Sequence, residues 1–143
     1  MDKQQTAVKN FLMKAYYVDE RINSKLEQVA SLNELAKKAA STVSDMPGSP
    51  NRNIHKTEDI IVKILELQRE IQKDANELLN LKRVICRCIK QVEDPECQII
   101  LEERYLRMVK WEQIATTLNM SMRKVFRLHD ETLKKIVIPE SWQ

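Results

Sequence analysis

Between residues 6 and 43, apolar side chains recur in steps of three and four: Val8, Phe11, Ala15, Val18, Ile22, Val29, Leu32, Ala36, Ala39 and Val43. A mean step of roughly 3.5 is the repeat of a coiled-coil seam. Lys25 takes the one polar seam position, with Leu26 beside it. The stretch SDMPGSPNRN then holds two of the four prolines and the only glycine, which predicts a loop at about 44–56. Beyond it, Thr57 suits an N-cap, with Glu58 and Asp59 in the first turn to complement the helix dipole. A second seam follows at Ile60, Ile64, Leu67, Ile71, Leu78, Leu81, Ile85, Cys88 and Val92, broken by Asp74. Each helix spans roughly 35–40 residues, about 55 Å at 1.5 Å per residue. Neither buries its seam alone, and the short connection makes an antiparallel hairpin over residues 1–93 the simplest arrangement. Folding about the loop sets Val29 level with Ile71, Ile22 with Leu78 and Lys25 with Asp74. Two readings of that polar pair stand open. The residues face each other inside the hairpin and specify its register, or both reach to solvent at the seam edge.

Asp94-Pro95 closes the second long helix, because proline suits a first turn and disrupts an interior. A third helix is expected over 96–106, with Ile100, Leu101, Tyr105 and Leu106 apolar. The next stretch, WEQIATTLNMSMRKVFRLHD at 111–130, joins two short helical patterns at a tight turn. Ile114, Ala115 and Leu118 share one face of the first. Asn119 tolerates the left-handed conformation that ends a helix, and Ser121 stands where an N-cap oxygen satisfies the free amides of the next. Val125, Leu128, Thr132 and Ile136 make the inner face of the second helix, with Arg123, Arg127 and Lys134 opposite. Small Ala115 permits close approach of the two. This is the pattern of a helix-turn-helix, whose second helix enters the major groove of DNA. The fold class expected is therefore all-α: a long antiparallel hairpin, then a C-terminal helix-turn-helix domain over 94–143.

The segment ILEERYLRMVKWEQIATTLNMSMRKVFRLHDETLKKI also resembles region four of the sigma-70-type transcription factors. Glu103, Arg104, Tyr105, Trp111, Glu112, Ile114, Ala115, Ser121, Val125, Leu133, Lys135 and Ile136 stand at the corresponding places. Asn119 replaces the more usual glycine of the turn. Over nearly its whole length, with RINSKLEQ, SDMPGSPN and EDIIVKI, the chain is similar to a family of small phage and prophage proteins from Gram-positive bacteria. That family is grouped with late-gene regulators of the ArpU and RinA type. The resemblance implies sequence-specific binding of double-stranded DNA in a phage or prophage setting; RNA polymerase is a further candidate partner, with direct contact left open. The sigma-like pattern often has basic residues where this chain has Met122 and Phe126, so the base sequence read does not carry over.

Composition narrows the field. One glycine in 143 residues favours long helices over a many-stranded sheet. A formal net charge of +3 says little by itself; its distribution matters more. Three cysteines, Cys86, Cys88 and Cys97, without a secretory signal read as reduced thiols. The N-terminus is polar, and no run approaches the ~18 apolar residues of a membrane span. The expected location is the cytoplasm of a bacterial host.

Base reading is expected from Arg123 and Arg127, four apart on one face. An arginine fork on guanine O6 and N7 is worth ~1–3 kcal/mol of discrimination. Met122 suits a thymine methyl. Ser121, Lys124 and Lys110 suit phosphates, and Lys134 reaches backbone or solvent. The basic run Lys82, Arg83, Arg87 and Lys90 either extends the phosphate footprint or solubilises its helix. Phe126 packs against the hairpin or a second subunit, and Trp142 packs back on the domain or meets a partner. His129 is expected at the helix surface or on a phosphate. No cofactor or metal is expected, since Cys-x-Cys on a helix points its thiols to different sides. No catalytic motif is present, and Glu102-Glu103 reads as a surface pair. The function expected is a transcriptional regulator that binds DNA as a homodimer. The alternative is a protein-binding module that holds RNA polymerase, a sigma factor or another host protein through its hairpin.

Overall fold

The structure is a computed structural model, and it describes residues 1–45 and 50–143. All regular structure among them is helical. Helix α1 is Lys3–Asp45 and α2 is Pro50–Lys90. Helix α3, Pro95–Leu101, continues into a π-helical turn at Glu102–Leu106. Helix α4 is Trp111–Leu118, α5 is Met122–Leu133, and a 3₁₀ turn at Glu140–Trp142 ends the chain.

The long helices exceed the expected bounds. No proline or glycine stands before Pro47, so nothing in the sequence stops α1 short of Asp45. Helix α2 begins at Pro50, and a proline's missing N–H costs nothing in a first turn. Thr57 therefore lies inside α2 rather than at its N-cap, and Glu58 and Asp59 are not in its first turn. The loop expected at 44–56 shrinks accordingly, and its centre, 46–49, lies outside the described residues.

The chain forms two compact units, one of Met1–Val18 with Leu78–Gln143 and one of Asp19–Glu77. These bounds differ from a division at 93/94, because the base of α1 packs with the C-terminal helices. Gln5 Nε2 donates to the Asp130 carbonyl at 2.7 Å, and Gln4 Nε2 to those of Lys134 at 3.2 Å and Ile136 at 3.4 Å. Phe11 meets Trp142 edge-on at 6.2 Å, so Trp142 packs back on its own unit. Val8, Phe11, Leu12 and Ala15 are buried here, with Leu81, Ile85 and Ile89 from α2. Burying each large side chain contributes ~1.5–3 kcal/mol.

In the unit Asp19–Glu77 the seam shows directly in the burial. Ile22, Lys25, Val29, Leu32, Ala36 and Ala39 are each half-buried, in steps of three and four, among exposed neighbours. On α2 the same steps carry half-buried Thr57, Ile64 and Ile71 alternating with buried Ile60, Leu67 and Asp74. Lys25 Nζ donates to Asp74 Oδ2 at 2.6 Å, so the polar pair faces inward. Arg21, unforeseen, adds a second cation to Asp74 at 3.2 Å and reaches Glu77 at 3.0 Å. The Lys25 hydrogen bond, and then Arg21, hold the Asp74 carboxyl below its ordinary 3.8 against the opposing effect of burial.

Candidate nucleic-acid interface

The C-terminal helices are set by their caps. Asp94 caps α3, its Oδ1 accepting from the amides of Glu96 at 2.9 Å and Cys97 at 3.4 Å. After α3 the backbone widens: the Arg107 amide reaches the Glu102 carbonyl at 3.1 Å, a five-residue step. Met108 then takes a left-handed φ of 58°, costly for a long side chain. Arg104 braces this turn. Its Nη1 donates to the Val109 carbonyl at 3.2 Å, and its guanidinium lies 4.7 Å from the Trp111 ring centre.

Asn119 ends α4 at φ 53°, ψ 47°. Its amide donates to the Thr116 carbonyl at 3.2 Å, and that of Met120 to the Ala115 carbonyl at 2.9 Å. Those two bonds are the pairing of a Schellman motif. Ser121 has extended backbone, and its Oγ accepts from the Lys124 amide at 3.1 Å, the N-cap of α5. Three residues thus separate the helices. Ile100, Ile114, Ala115 and Val125 bury together beneath the corner, with Leu118, Met120, Met122 and Leu128 partly buried against them. Ala115 leaves room for α5 where a larger side chain would push it away.

The expected site residues fall into two groups. Arg123, Lys124 and Arg127 are exposed on α5, and none has an ion pair among the described residues. Arg123 and Arg127 lie ~40° apart around the helix. Lys134, exposed at the C-cap of α5, lies on the same stripe ~16 Å from Arg123 and ~10 Å from Arg127 along the helix. Lys110 is exposed at the N-terminus of α4. The remaining two serve the fold as well. Ser121 commits its Oγ to the cap, and half-buried Met122 packs against the corner. Phe126, exposed by 40%, meets Trp111 edge-on at 5.1 Å, within its own unit. Of the second basic run, Arg83, Arg87 and Lys90 are exposed and Lys82 is half-buried.

His129 is not on the surface; it is 3% exposed. Its Nδ1 lies 3.0 Å from the Asp130 carboxylate and its Nε2 2.6 Å from the Tyr105 hydroxyl. A carboxylate only accepts, so Nδ1 carries the proton and Nε2 accepts from Tyr105. Burial, the larger effect, pushes the imidazole below its ordinary 6.5 although Asp130 pulls it up. Burial likewise pushes the Tyr105 hydroxyl well up. This neutral pair ties the π-helical turn to α5. Its place was readable in the sequence: His129 stands four residues after Val125, on the inner face.

Cys88 and Cys97 are buried, and their thiols approach the carbonyls of Val137 and Leu128, each at 3.9 Å. Among the described residues no group of three or more His, Cys, Asp or Glu is placed to hold a metal ion. No helix among them is long and apolar enough to cross a membrane.

A helical hairpin joined to a capped two-helix corner defines an all-α protein of helix-turn-helix architecture. The chain belongs to the DUF1492 family, described as proteins of unknown function, whose model matches residues 48–136. No curated protein and no solved structure matches it.

Proposed function

We propose that this protein is a sequence-specific DNA-binding regulator of transcription, encoded by a phage or prophage and acting as a homodimer. The observation that carries the reading is the outward face of α5. Three cations, Arg123, Lys124 and Arg127, stand exposed and unspent on the second helix of a capped corner. In this reading α5 lies in the major groove. Arg123 and Arg127 reach base edges, and Lys124, Lys110 and Lys134 meet phosphates. The resemblance to sigma region four supports the same assignment.

The test is a fluorescence-anisotropy titration against duplexes selected from a random pool. Wild type should prefer the selected duplex, with affinity falling steeply as salt rises. Arg123→Ala with Arg127→Ala should cost ~1–3 kcal/mol per lost base contact and relax that preference. No duplex binding at low salt, or an unchanged preference in the double variant, rejects the proposal.

A second reading, a module that holds RNA polymerase or a sigma factor through its hairpin, draws on a different feature. An apolar cleft of about 570 Å³ opens at the base of α1, lined by Phe11, Val137 and Trp142 among others. Such a module would keep its protein partner in high salt and in the arginine variant.

A further inference from the structure

A lone pair of helices leaves its seam open on both flanks, which is why Val29, Leu32, Ile64 and Ile71 are only half-buried. The two flanks of this hairpin differ in kind. Arg21 and Glu77 each stand one residue before a seam position, and they meet at 3.0 Å, which fixes one flank. Lys63 and Glu70 hold equivalent positions there, so that side is charged. On an antiparallel pair the residues that follow Lys25, Ile60 and Asp74 share the other flank. These are Leu26, Ile61 and Ala75, with Ala30 and Leu65 one turn outward. Leu26, Ile61 and Leu65 are 50%, 48% and 49% exposed. The flank's polar members, such as Asn33 and Gln68, are amides, and no charged residue interrupts it from 23 to 33 on α1 or from 61 to 75 on α2.

We propose that this uncharged flank is the docking surface for a second copy of the same chain, two hairpins closing into a four-helix layer. A two-fold interface sets one patch against its own image, so any charge at its centre meets a like charge. A flank free of charge avoids that, while the opposite flank does not. An acidic or basic partner would find nothing here to pair with. The patch is ~20 Å long and ~20 Å wide, and two interdigitated copies bury on the order of 1,000 Å², the lower bound for a specific interface. Docking also covers the open side of the seam, as in a four-helix bundle. The inference rests on the dimeric reading above and gives that dimer its surface.

The test is sedimentation equilibrium of the full chain without DNA, with far-UV circular dichroism to verify helicity. Wild type should be dimeric at about 50 μM, as an interface of this size allows. Leu26→Glu with Leu65→Glu should raise the dimer dissociation constant ~100-fold or more, by setting carboxylates against each other. Gln28→Glu, on the charged flank, should leave it unchanged. Should the glutamates lower helicity, Leu26→Gln with Leu65→Gln should still weaken the dimer by at least ~10-fold. A monomeric wild type, an unmoved constant in both flank variants, or equal weakening by Gln28→Glu overturns the proposal. Mass is the readout, so these outcomes leave DNA binding to be judged by the duplex titration alone.

Discussion

Removing the Asp74 carboxylate should destabilise the hairpin, and removing Lys25 with it should restore most of the loss. The Asp74 side chain is 8% exposed and that of Lys25 18%, with 2.6 Å between their charged atoms. Breaking a fully buried pair costs ~3–5 kcal/mol, because one charge is left without compensation. Here only two helices enclose the pair, so water lies close and that figure is an upper bound. Lys25 has a flexible stem and can carry its ammonium outward. Arg21, 47% exposed, is screened and adds little. Asp74→Leu should therefore cost ~1–2 kcal/mol. Lys25→Leu should cost about half that, since Arg21 still compensates Asp74. The double leucine variant should return close to wild type, because an apolar pair of similar volume replaces an ion pair at little cost. Urea unfolding of the four proteins at pH 7 yields the coupling energy, expected at ~1.5–3 kcal/mol, the sum of the two single losses less the small loss of the double variant. The same cycle in acid supplies the control. Asp74 has a folded-state pKa below its ordinary 3.8, so its stabilisation is present above that value and disappears as pH falls through the lower, folded one. A coupling energy near zero at pH 7, or one that survives protonation of Asp74, refutes the reasoning. Cross-linking of the double variant should also show more than one hairpin register.

Three further expectations follow from the C-terminal unit. The His129 pKa is depressed in the fold, so protonation favours the unfolded chain; stability should be full above about 6.5 and decline as pH drops below it. Melting from pH 7.5 to 5 measures this, and His129→Leu should flatten that window. Tyr105→Phe leaves Nε2 buried without a donor and should cost ~1–2 kcal/mol in urea unfolding. At the turn, Asn119→Gly should hold or raise stability, whereas Asn119→Val should lose ~1–2 kcal/mol at the left-handed position.

What was legible in the sequence was local chemistry and periodicity. Asn119 and Ser121 announced the turn because few residue types tolerate φ 53° or supply a capping oxygen. The seam steps placed Lys25 against Asp74 because a one-residue slip on either helix would turn the apolar stripe away. Thr57 misled, since a threonine before two acids imitates an N-cap. Its spacing of three from Ile60 made it a seam residue as well, and the helix continued through it. The π-helical turn and the left-handed Met108 carry no glycine or asparagine to signal them. They are held by Arg104, itself in the turn, through the Val109 carbonyl and the Trp111 ring five and seven residues on, a pairing that no residue preference signals. The end of α5 was hidden in the same way. Nothing in LKKI stops a helix, yet the glutamine Nε2 of Gln4, 130 residues away, takes the Lys134 carbonyl at that end.

Residues 94–143 contain eight lysines and arginines and eight aspartates and glutamates, so the segment is formally neutral. Two of its cations are already committed: Arg107 to Glu103 at 2.6 Å, and Arg104 to the Trp111 ring and the Val109 carbonyl. Asp130 and Glu131 follow directly behind the basic half of α5. On the regulator reading, each copy then offers about four cations to phosphates, for a salt slope of roughly −0.9 per contact. A fourfold rise in salt would weaken one copy's hold by ~100-fold. A single neutral module with so few contacts holds poorly at physiological salt. Two copies joined by a protein interface bind the second half-site intramolecularly, and avidity replaces the missing charge. The balanced surface therefore makes dimerisation the route to tight binding at physiological salt, whereas duplex binding at low salt needs only one copy.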